Sequence, residues 1–286
     1  MISIIVSSYK EKDFLKFVSS LNCTIGVPYE LIKIDNPNKY SLSKAYNIGG
    51  QKAQFDILVF VHEDVIFVSD NWGRILNKLF DENHKLGIVG VAGSLKKSSL
   101  PTGWGTGTAE FDRINLIQAT NNQEKIHSTR KATESSEQIK VLDGVFMATT
   151  RKIWREFKFD ESLPGYHVYD IDFSLRVTQH FIGLITYEIL LKHFSIGNYN
   201  TEWVKMTLEY HKRVEKLTLF DQDDSHYSKT RRAWYKALTF GEIAREKRIE
   251  FLNKMGYDFL SLIHAYSFRF PFLGRRIFYL LSFIGL

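Results

Sequence analysis

The segment Leu58-Val59-Phe60-Val61-His62-Glu63-Asp64 joins four apolar residues directly to a polar cluster. A short apolar run of this kind predicts a buried strand. An imidazole and a carboxylate at a strand end can hold a divalent cation, which can in turn clamp a diphosphate. A second acidic cluster, Tyr169-Asp170-Ile171-Asp172, follows further along. Taken alone, the polar tripeptide is better explained as a solvent-facing strand end. The two clusters together favour group transfer from a nucleotide-activated donor.

Strands and helices alternate around this segment. Buried-strand patterns occur at residues 2–8, 29–34, 57–61, 86–92, 141–148 and 185–191, and helical patterns occur at residues 12–21, 43–53 and 70–82. Ser69 or Asp70 is the expected N-cap of the last helix. Such alternation predicts an α/β domain with a mostly parallel, doubly wound sheet.

Residues 93–140 break this rhythm. They are rich in Gly, Ser, Thr, Asn and Lys, and a stretch of this kind is expected to be a binding loop, a hairpin excursion or disordered. Residues 116–120 and 138–142 are candidate strands within it. From residue 200 onward the chain has a charged, helical pattern.

The composition limits the class of protein. With 286 residues, of which 44% are hydrophobic, the chain can form one large domain, or a domain with an appendage. The lone Cys23 fits a reducing compartment. The net charge of +6 could serve nucleic acid, anionic lipid or phosphorylated substrates. No nucleic-acid-binding motif accompanies the charge, so a nucleic-acid partner is not expected.

The two ends of the sequence bear on localisation. The N-terminus lacks the pattern of a signal peptide, and no apolar stretch reaches the roughly 18 residues that a membrane span needs. A cytoplasmic protein is therefore expected. Residues 268–286 combine arginines with dense aromatic residues. They could lie peripherally on anionic lipid at the inner face of the membrane. A docked terminal helix or a homodimer contact is slightly favoured over this.

Short segments in chain order carry a family resemblance. They are Ile2–Tyr9, Ala45–Gly49, Phe60–Asp64, Phe159–Glu161, Asp170–Arg176 and His193. Together they resemble the GT-A glycosyltransferases, in particular the family 2-like bacterial enzymes. The subgroup with Leu142-Asp143-Gly144 and Tyr169-Asp170-Ile171-Asp172-Phe173 is the most similar. The resemblance implies a Rossmann-like GT-A domain at residues 1–199, with residues 93–140 as an insertion, and a C-terminal helical region at residues 200–286.

The resemblance also implies an activity. A hexosyltransferase-type enzyme of this family moves a sugar from a UDP- or GDP-type nucleotide-diphospho-sugar to a hydroxyl of a glycan or lipid-linked acceptor. An inverting reaction in surface polysaccharide or glycolipid biosynthesis is expected.

The donor is expected to contact residues near the carboxyl ends of the strands. These are Ser7, Tyr9, Asp35, Asn47, Gly49, Glu63, Asp143, Gly144 and, in the insertion, Trp104. Several of them have another explanation. Asp35 could initiate the turn before Pro37. Asn47 and Gly49 could serve helix packing. Trp104 could stack on a sugar or hold down a long loop.

The resemblance implies a divalent metal, Mn²⁺ or Mg²⁺. Asp64 is the best ligand candidate, because it stands at the last position of the family's Asp-x-Asp motif. His62 replaces the first Asp of that motif, and an imidazole suits Mn²⁺ better than Mg²⁺. His193 matches a histidine that binds the metal in several relatives, and a structural role is equally favoured.

The acidic cluster supplies the expected catalytic residues. Asp170 aligns with the general base of inverting relatives, which takes the proton of the acceptor hydroxyl. Asp172 is the second candidate, although it could instead start the following helix. Arg176, four residues later, is expected to pair with it.

Two other functions remain open. Because Tyr169 replaces the family's leading Glu and His62 replaces Asp, a non-catalytic nucleotide- or sugar-binding protein is one alternative. A nucleotidyltransferase is the weaker one, since the loop from Ser7 to Lys12 has no glycine.

Overall fold

A computed structural model describes residues 1–120, 123–131, 133–195, 197, 199–214, 229–230, 233–234, 243 and 245–255. Contacts divide the chain into two compact units. The first is Met1–Lys97 with Ala109–Ile196, and the second is Ser98–Thr108 with the described part of Gly197–Leu286. Within the described residues, no helix is long and apolar enough to cross a bilayer. The segment 268–286 lies outside the described residues.

The first unit contains the strands and five of the helices. In chain order the strands are β1 (Ile2–Ser8), β2 (Tyr29–Asp35), β3 (Ile57–His62), β4 (Val65–Phe67), β5 (Leu86–Gly90), β6 (Ala92–Ser94), β7 (Asp112–Ala119), β8 (Glu124–Ser128), β9 (Ser136–Ile139), β10 (Val141–Leu142), β11 (Phe146–Thr150), β12 (Ile182–Thr186) and β13 (Leu191–His193). The helices are α1 (Glu11–Thr24), α2 (Leu42–Lys52), α3 (Trp72–Glu82), α4 (Arg151–Phe157) and α5 (Tyr169–Thr178). The second unit contains α6 (Thr201–Val214) and α7 (Arg245–Lys254).

The larger sheet has the strand order β2-β1-β3-β11-β5-β12-β9. Strands β2, β1, β3, β5 and β12 run in one direction, and β11 and β9 run against them. The sheet is therefore mixed, and five of its seven strands share one direction, in agreement with the mostly parallel sheet that the strand–helix alternation predicts. Strand β11 lies between β3 and β5 and pairs antiparallel with both.

The smaller sheet is built largely from the residues that break the α/β rhythm. Its strand order is β10-β6-β7-β13-β4, and β8 pairs with β7. The candidate strand at residues 116–120 overlaps the end of the longer β7, which stops at Ala119. The candidate strand at residues 138–142 is two strands, because β9 pairs with β12 in the larger sheet and β10 pairs with β6 in the smaller one.

Several predicted boundaries are wrong. The strands predicted at residues 86–92 and 141–148 are each two strands, β5 with β6 and β10 with β11, which lie in different sheets. Helix α3 begins at Trp72 rather than after Ser69 or Asp70, because Asn71 has a left-handed φ of 58° at the cap position. The strand predicted at residues 185–191 breaks after Thr186, where the chain passes from one sheet to the other. The side-chain amide of Asn115 donates to the carbonyls of Tyr187 (3.1 Å) and Ile189 (2.9 Å) and so satisfies the backbone of the crossing.

Helix α2 packs closely on the central strand β1. Its N-cap Ser41 accepts a hydrogen bond from the Lys44 backbone N–H at 3.3 Å. Gly49 faces β1, and a Cβ atom at this position would overlap the Cγ2 atom of Ile5. The absence of a side chain at residue 49 therefore sets the distance between helix and sheet.

We predict that Gly49→Ala destabilises the fold. Overpacking against Ile5 is expected to lower the free energy of unfolding by about 1–3 kcal/mol, which exceeds the ~0.5–1 kcal/mol that alanine gains in a helix. Urea denaturation would measure the change. Gln51→Ala, at an exposed position of the same helix, is the control and should be nearly neutral. A Gly49→Ala variant at least as stable as the parent would contradict this account of the packing.

Candidate active site

Two histidines and one carboxylate converge where β3 and β13 end. His62 is the last residue of β3, and Asp64 lies in the turn that leads into β4. Strand β13 pairs antiparallel with β4, so that His193 lies opposite Val65 and beside this turn. Asp64 Oδ1 is 3.9 Å from His62 Nδ1 and 3.5 Å from His193 Nε2. One ligand atom from each of the three residues falls within 4.8 Å of the others.

This cluster fits a divalent cation. His193 Nε2 is buried, and within the described residues it lies 3.5 Å from Asp64 Oδ1 but makes no well-aligned hydrogen bond. Buried polar atoms are normally satisfied in a folded protein. The Asp64 side chain is only 28% exposed. A cation between these atoms would satisfy both the nitrogen lone pair and the carboxylate. Mixed nitrogen and oxygen ligands are suited to Mn²⁺ and related metals.

The pKa shifts of Asp64 and His62 favour metal binding, whereas that of His193 favours its protonated form until a cation displaces the proton. Burial works against the charged form of Asp64, but the adjacent imidazoles of His193 and His62 prevail and lower its pKa to about 2. Burial lowers the pKa of His62. Burial also opposes the charging of His193, yet the neighbouring Asp64 carboxylate prevails and raises the pKa of that imidazole. Asp64 is therefore ionised at neutral pH.

Asp170 lies in the first turn of α5, against the turn that joins β10 to β11. Its Oδ2 atom accepts a hydrogen bond from the Gly144 backbone N–H at 2.9 Å. Asp143 forms the turn itself, because its Oδ1 accepts from the Val145 N–H at 2.7 Å. Burial, followed by the charge of Asp143, raises the pKa of Asp170 to about 7. A carboxylate that titrates near neutrality is suited to general base catalysis.

Asp172 is held in a structural ion pair. Its Oδ2 accepts from Arg176 Nε at 2.9 Å and from Arg176 Nη2 at 2.7 Å, which confirms the predicted i,i+4 pairing. Arg176 also donates to the carbonyl of Lys158 at 2.8 Å and thereby joins α5 to the end of α4. The prediction that Asp172 starts the helix is wrong. Helix α5 already begins at Tyr169, after Val168 with its left-handed φ of 58°.

The loop after β1 is hydrogen-bonded to the turn between β3 and β4, which contains Glu63. The backbone N–H groups of Tyr9 and Lys10 both donate to the Glu63 carboxylate at 3.2 Å. The structure therefore uses Glu63, a predicted donor-binding residue, to shape the loop. The side chain of Tyr9 is 64% exposed and free to contact a ligand.

The remaining predicted donor-binding residues differ from one another in burial and in hydrogen-bond partners. Ser7 Oγ accepts from Asn36 Nδ2 at 3.1 Å, and Asp35 is exposed and lies 3.1 Å from Lys33 Nζ. Asn47 is buried, and its amide bonds to both the carbonyl (2.8 Å) and the N–H (3.0 Å) of Phe159. These contacts agree with the alternative explanation of Asn47 as a packing residue. The close approach of Gly49 to Ile5 agrees with the same explanation for Gly49. Trp104 is partly buried in the second unit.

A comparison with protein families identifies the family to which the chain belongs. The model described as "Glycosyltransferase like family" matches residues 1–219. The chain belongs to this glycosyltransferase-like family. A search of curated proteins found no match.

Solved structures of glycosyltransferases share the fold. GalNAc-T7, crystallised with UDP, GalNAc and Mn²⁺, has a TM-score of 0.53 at 12% identity, over 94% of this chain and 57% of its own. TarS 1-349 of S. aureus has a TM-score of 0.50 at 12% identity, over 92% of this chain and 80% of its own. Its complex with UDP has a TM-score of 0.51 at 12% identity, over 93% and 82% of the two chains. This chain thus spans little more than half of the GalNAc-T7 chain. These matches confirm the predicted GT-A fold.

Tyr169 is a site residue absent from the predicted donor, metal and catalytic sets. Its hydroxyl oxygen lies 2.8 Å from His62 Nε2. A Cβ atom at Gly144 would overlap this hydroxyl, so the glycine makes room for the tyrosine. Burial raises the pKa of Tyr169, which keeps the phenol protonated. Its position directly before Asp170 is the sequence signal that could have identified it.

We predict that Asp170→Asn stabilises the protein at alkaline pH. Since the folded-state pKa of about 7 exceeds the ordinary value of 3.8, ionisation is less favourable in the folded state. The stability that protonated Asp170 contributes to the wild type is therefore lost as the pH rises from 3.8 to about 7. The variant should melt higher than the wild type at pH 8, and the difference should shrink towards pH 4.

The matched control is Asp81→Asn, at an exposed position of α3, which should follow the wild type at both pH values. Equal melting temperatures of Asp170→Asn and the wild type at pH 8 would contradict the raised pKa.

Proposed function

We propose that this protein transfers a sugar from a nucleotide-diphospho-sugar to a hydroxyl acceptor with the help of a divalent cation. The main support is the convergence of His62, Asp64 and His193 at the end of a buried strand. A carboxylate of raised pKa, Asp170, lies on the neighbouring helix terminus. A cation site and a poised base are the two parts that such a transfer requires.

The donor is proposed to bind at the carboxyl ends of β1 and β2, where ligands of α/β sheets bind. The exposed Tyr9, Ser7 and the exposed Asp35 are available to contact its base and ribose. A UDP-type donor is favoured, since GalNAc-T7 and TarS were both crystallised with UDP. Asp143 and Gly144, which form the turn beside Asp170, would face the donor sugar.

The cation is proposed to be Mn²⁺ or Mg²⁺, held by Asp64 and His193 together with His62. When bound, it supplies positive charge that stabilises the departing diphosphate. Asp64 contributes an ionised carboxylate at neutral pH, and His193 contributes a buried nitrogen that has no well-aligned hydrogen bond within the described part of the chain.

The acceptor is proposed to react beside Asp170. The Asp170 carboxylate takes the proton of the acceptor hydroxyl as its oxygen bonds to the anomeric carbon. The bond from that carbon to the diphosphate oxygen breaks, and the configuration inverts. The hydrogen bond from the Gly144 N–H holds one carboxylate oxygen in place during this step.

We extend the proposal to a role in surface polysaccharide or glycolipid biosynthesis in the cytoplasm. A glycan or lipid-linked acceptor fits this role. Residues 268–286, outside the described part of the chain, could then supply a peripheral membrane contact or a homodimer contact, because they combine basic and aromatic residues.

Asp64→Asn should abolish Mn²⁺-dependent nucleotide binding, because the variant removes the only charged ligand of the three. Calorimetric titration of UDP and GDP with and without Mn²⁺ would measure the loss. Asp56→Asn is the control, because its 91% exposed side chain pairs with Arg151 at the opposite end of β3. Retention of Mn²⁺-dependent binding by Asp64→Asn would exclude the proposed metal site.

Asp170→Asn should reduce sugar transfer, or the slow hydrolysis of the donor, by about 10²–10⁴-fold while donor affinity is kept. In the wild type, the rate should rise with pH up to about 7, where Asp170 ionises. Initial rates across pH 5–9 would test both expectations. If Asp170→Asn remained active and Asp172→Asn, with its fold intact, were inactive, the base would be Asp172.

A further inference from the structure

The Tyr169 phenol is held rigidly against His62. Only 5% of Tyr169 is exposed. Its ring meets the Tyr46 ring edge-on at 5.7 Å and the Phe159 ring at 6.1 Å. These neighbours, together with the space left by Gly144, fix the hydroxyl 2.8 Å from His62 Nε2. The orientation of the His62 ring is therefore set by a buried partner.

The two nitrogens of His62 face different groups. Nε2 faces the Tyr169 hydroxyl, and Nδ1 faces Asp64 Oδ1 at 3.9 Å. A separation of 3.9 Å is too long for an Nδ1–H···Oδ1 hydrogen bond. A neutral imidazole carries one N–H and one lone pair. If Nε2 carries the hydrogen, the lone pair of Nδ1 points towards Asp64 and His193.

We propose that Tyr169 is a positioning residue of the metal site, which accepts the Nε2–H of His62 and so presents the Nδ1 lone pair to the cation. The inference rests on the metal site proposed above and extends it beyond the three ligands. The opposite tautomer would direct an N–H at the cation position and remove one ligand from the set.

Partners of this kind fix both the tautomer and the ring orientation of a metal-binding histidine. Their loss typically weakens metal affinity by about 10–100-fold. Tyr169→Phe removes only the hydroxyl and keeps the ring that packs on Tyr46 and Phe159. The variant should therefore remain folded and lose Mn²⁺ affinity by this factor.

The test is a Mn²⁺ titration of the full chain without nucleotide, with free Mn²⁺ followed by its electron paramagnetic resonance signal. Tyr187→Phe is the matched control. It removes the hydroxyl of another buried tyrosine, which donates to Glu137 at 2.8 Å, and should leave Mn²⁺ affinity unchanged. Thermal melting checks that each variant is folded.

A double-mutant cycle with His62→Ala separates positioning from a general structural effect. If Tyr169 acts through His62, Tyr169→Phe should weaken Mn²⁺ binding in the parent and have no further effect in the His62→Ala background. Equal affinity of the parent and Tyr169→Phe would overturn the positioning role alone. An equal loss in both backgrounds would also overturn it. A parent chain that binds no Mn²⁺ would overturn the metal site and this inference together.

Discussion

The arrangement of the site depends on how the chain turns after β3. The strand is buried, and its continuation must place the Glu63 carboxylate, which is only 5% exposed, against compensating donors. A buried charge without partners is costly. The N–H groups of Tyr9 and Lys10 supply these partners and tie the end of β3 to the loop after β1. With Glu63 fixed, Asp64 is directed to the other side, where β4 brings in β13 and its terminal His193.

The local environment shifts the pKa values of Asp64 and Asp170 in opposite directions. Asp64 meets two imidazoles, and its pKa falls to about 2, whereas Asp170 is partly buried near Asp143, and its pKa rises to about 7. Titratable groups whose pKa values are separated in this way commonly have different chemical roles. A carboxylate that stays ionised suits a cation, and one that exchanges a proton near neutrality suits a base. Asp172 pairs with Arg176 and is thereby engaged in a structural contact.

Local patterns in the sequence predicted the elements that use local contacts. The apolar runs of β1 and β3, the helix α2 and the ion pair between Asp172 and Arg176 are such cases. The reversed direction of β11 and the break between β12 and β13 depend on pairing with distant strands, which local patterns do not specify. The same limit applies to the site. The sequence could place His62, Asp64 and His193 at strand ends. It could not show that Glu63 bonds to the β1 loop, or that Asn47 is engaged by Phe159.

The two departures from the family pattern lie against each other. Histidine at position 62 and tyrosine at position 169 each argue, when taken singly, for a protein that has lost its metal chemistry. In the structure the side chains are 2.8 Å apart, and Gly144 leaves the space that the tyrosine needs. An imidazole differs from a carboxylate in that only one of its tautomers offers a lone pair in a given direction. A histidine at this place therefore needs a partner on its second nitrogen, and Tyr169 provides one. Considered as a pair, the two substitutions support the proposed cation site and argue against the loss of metal chemistry.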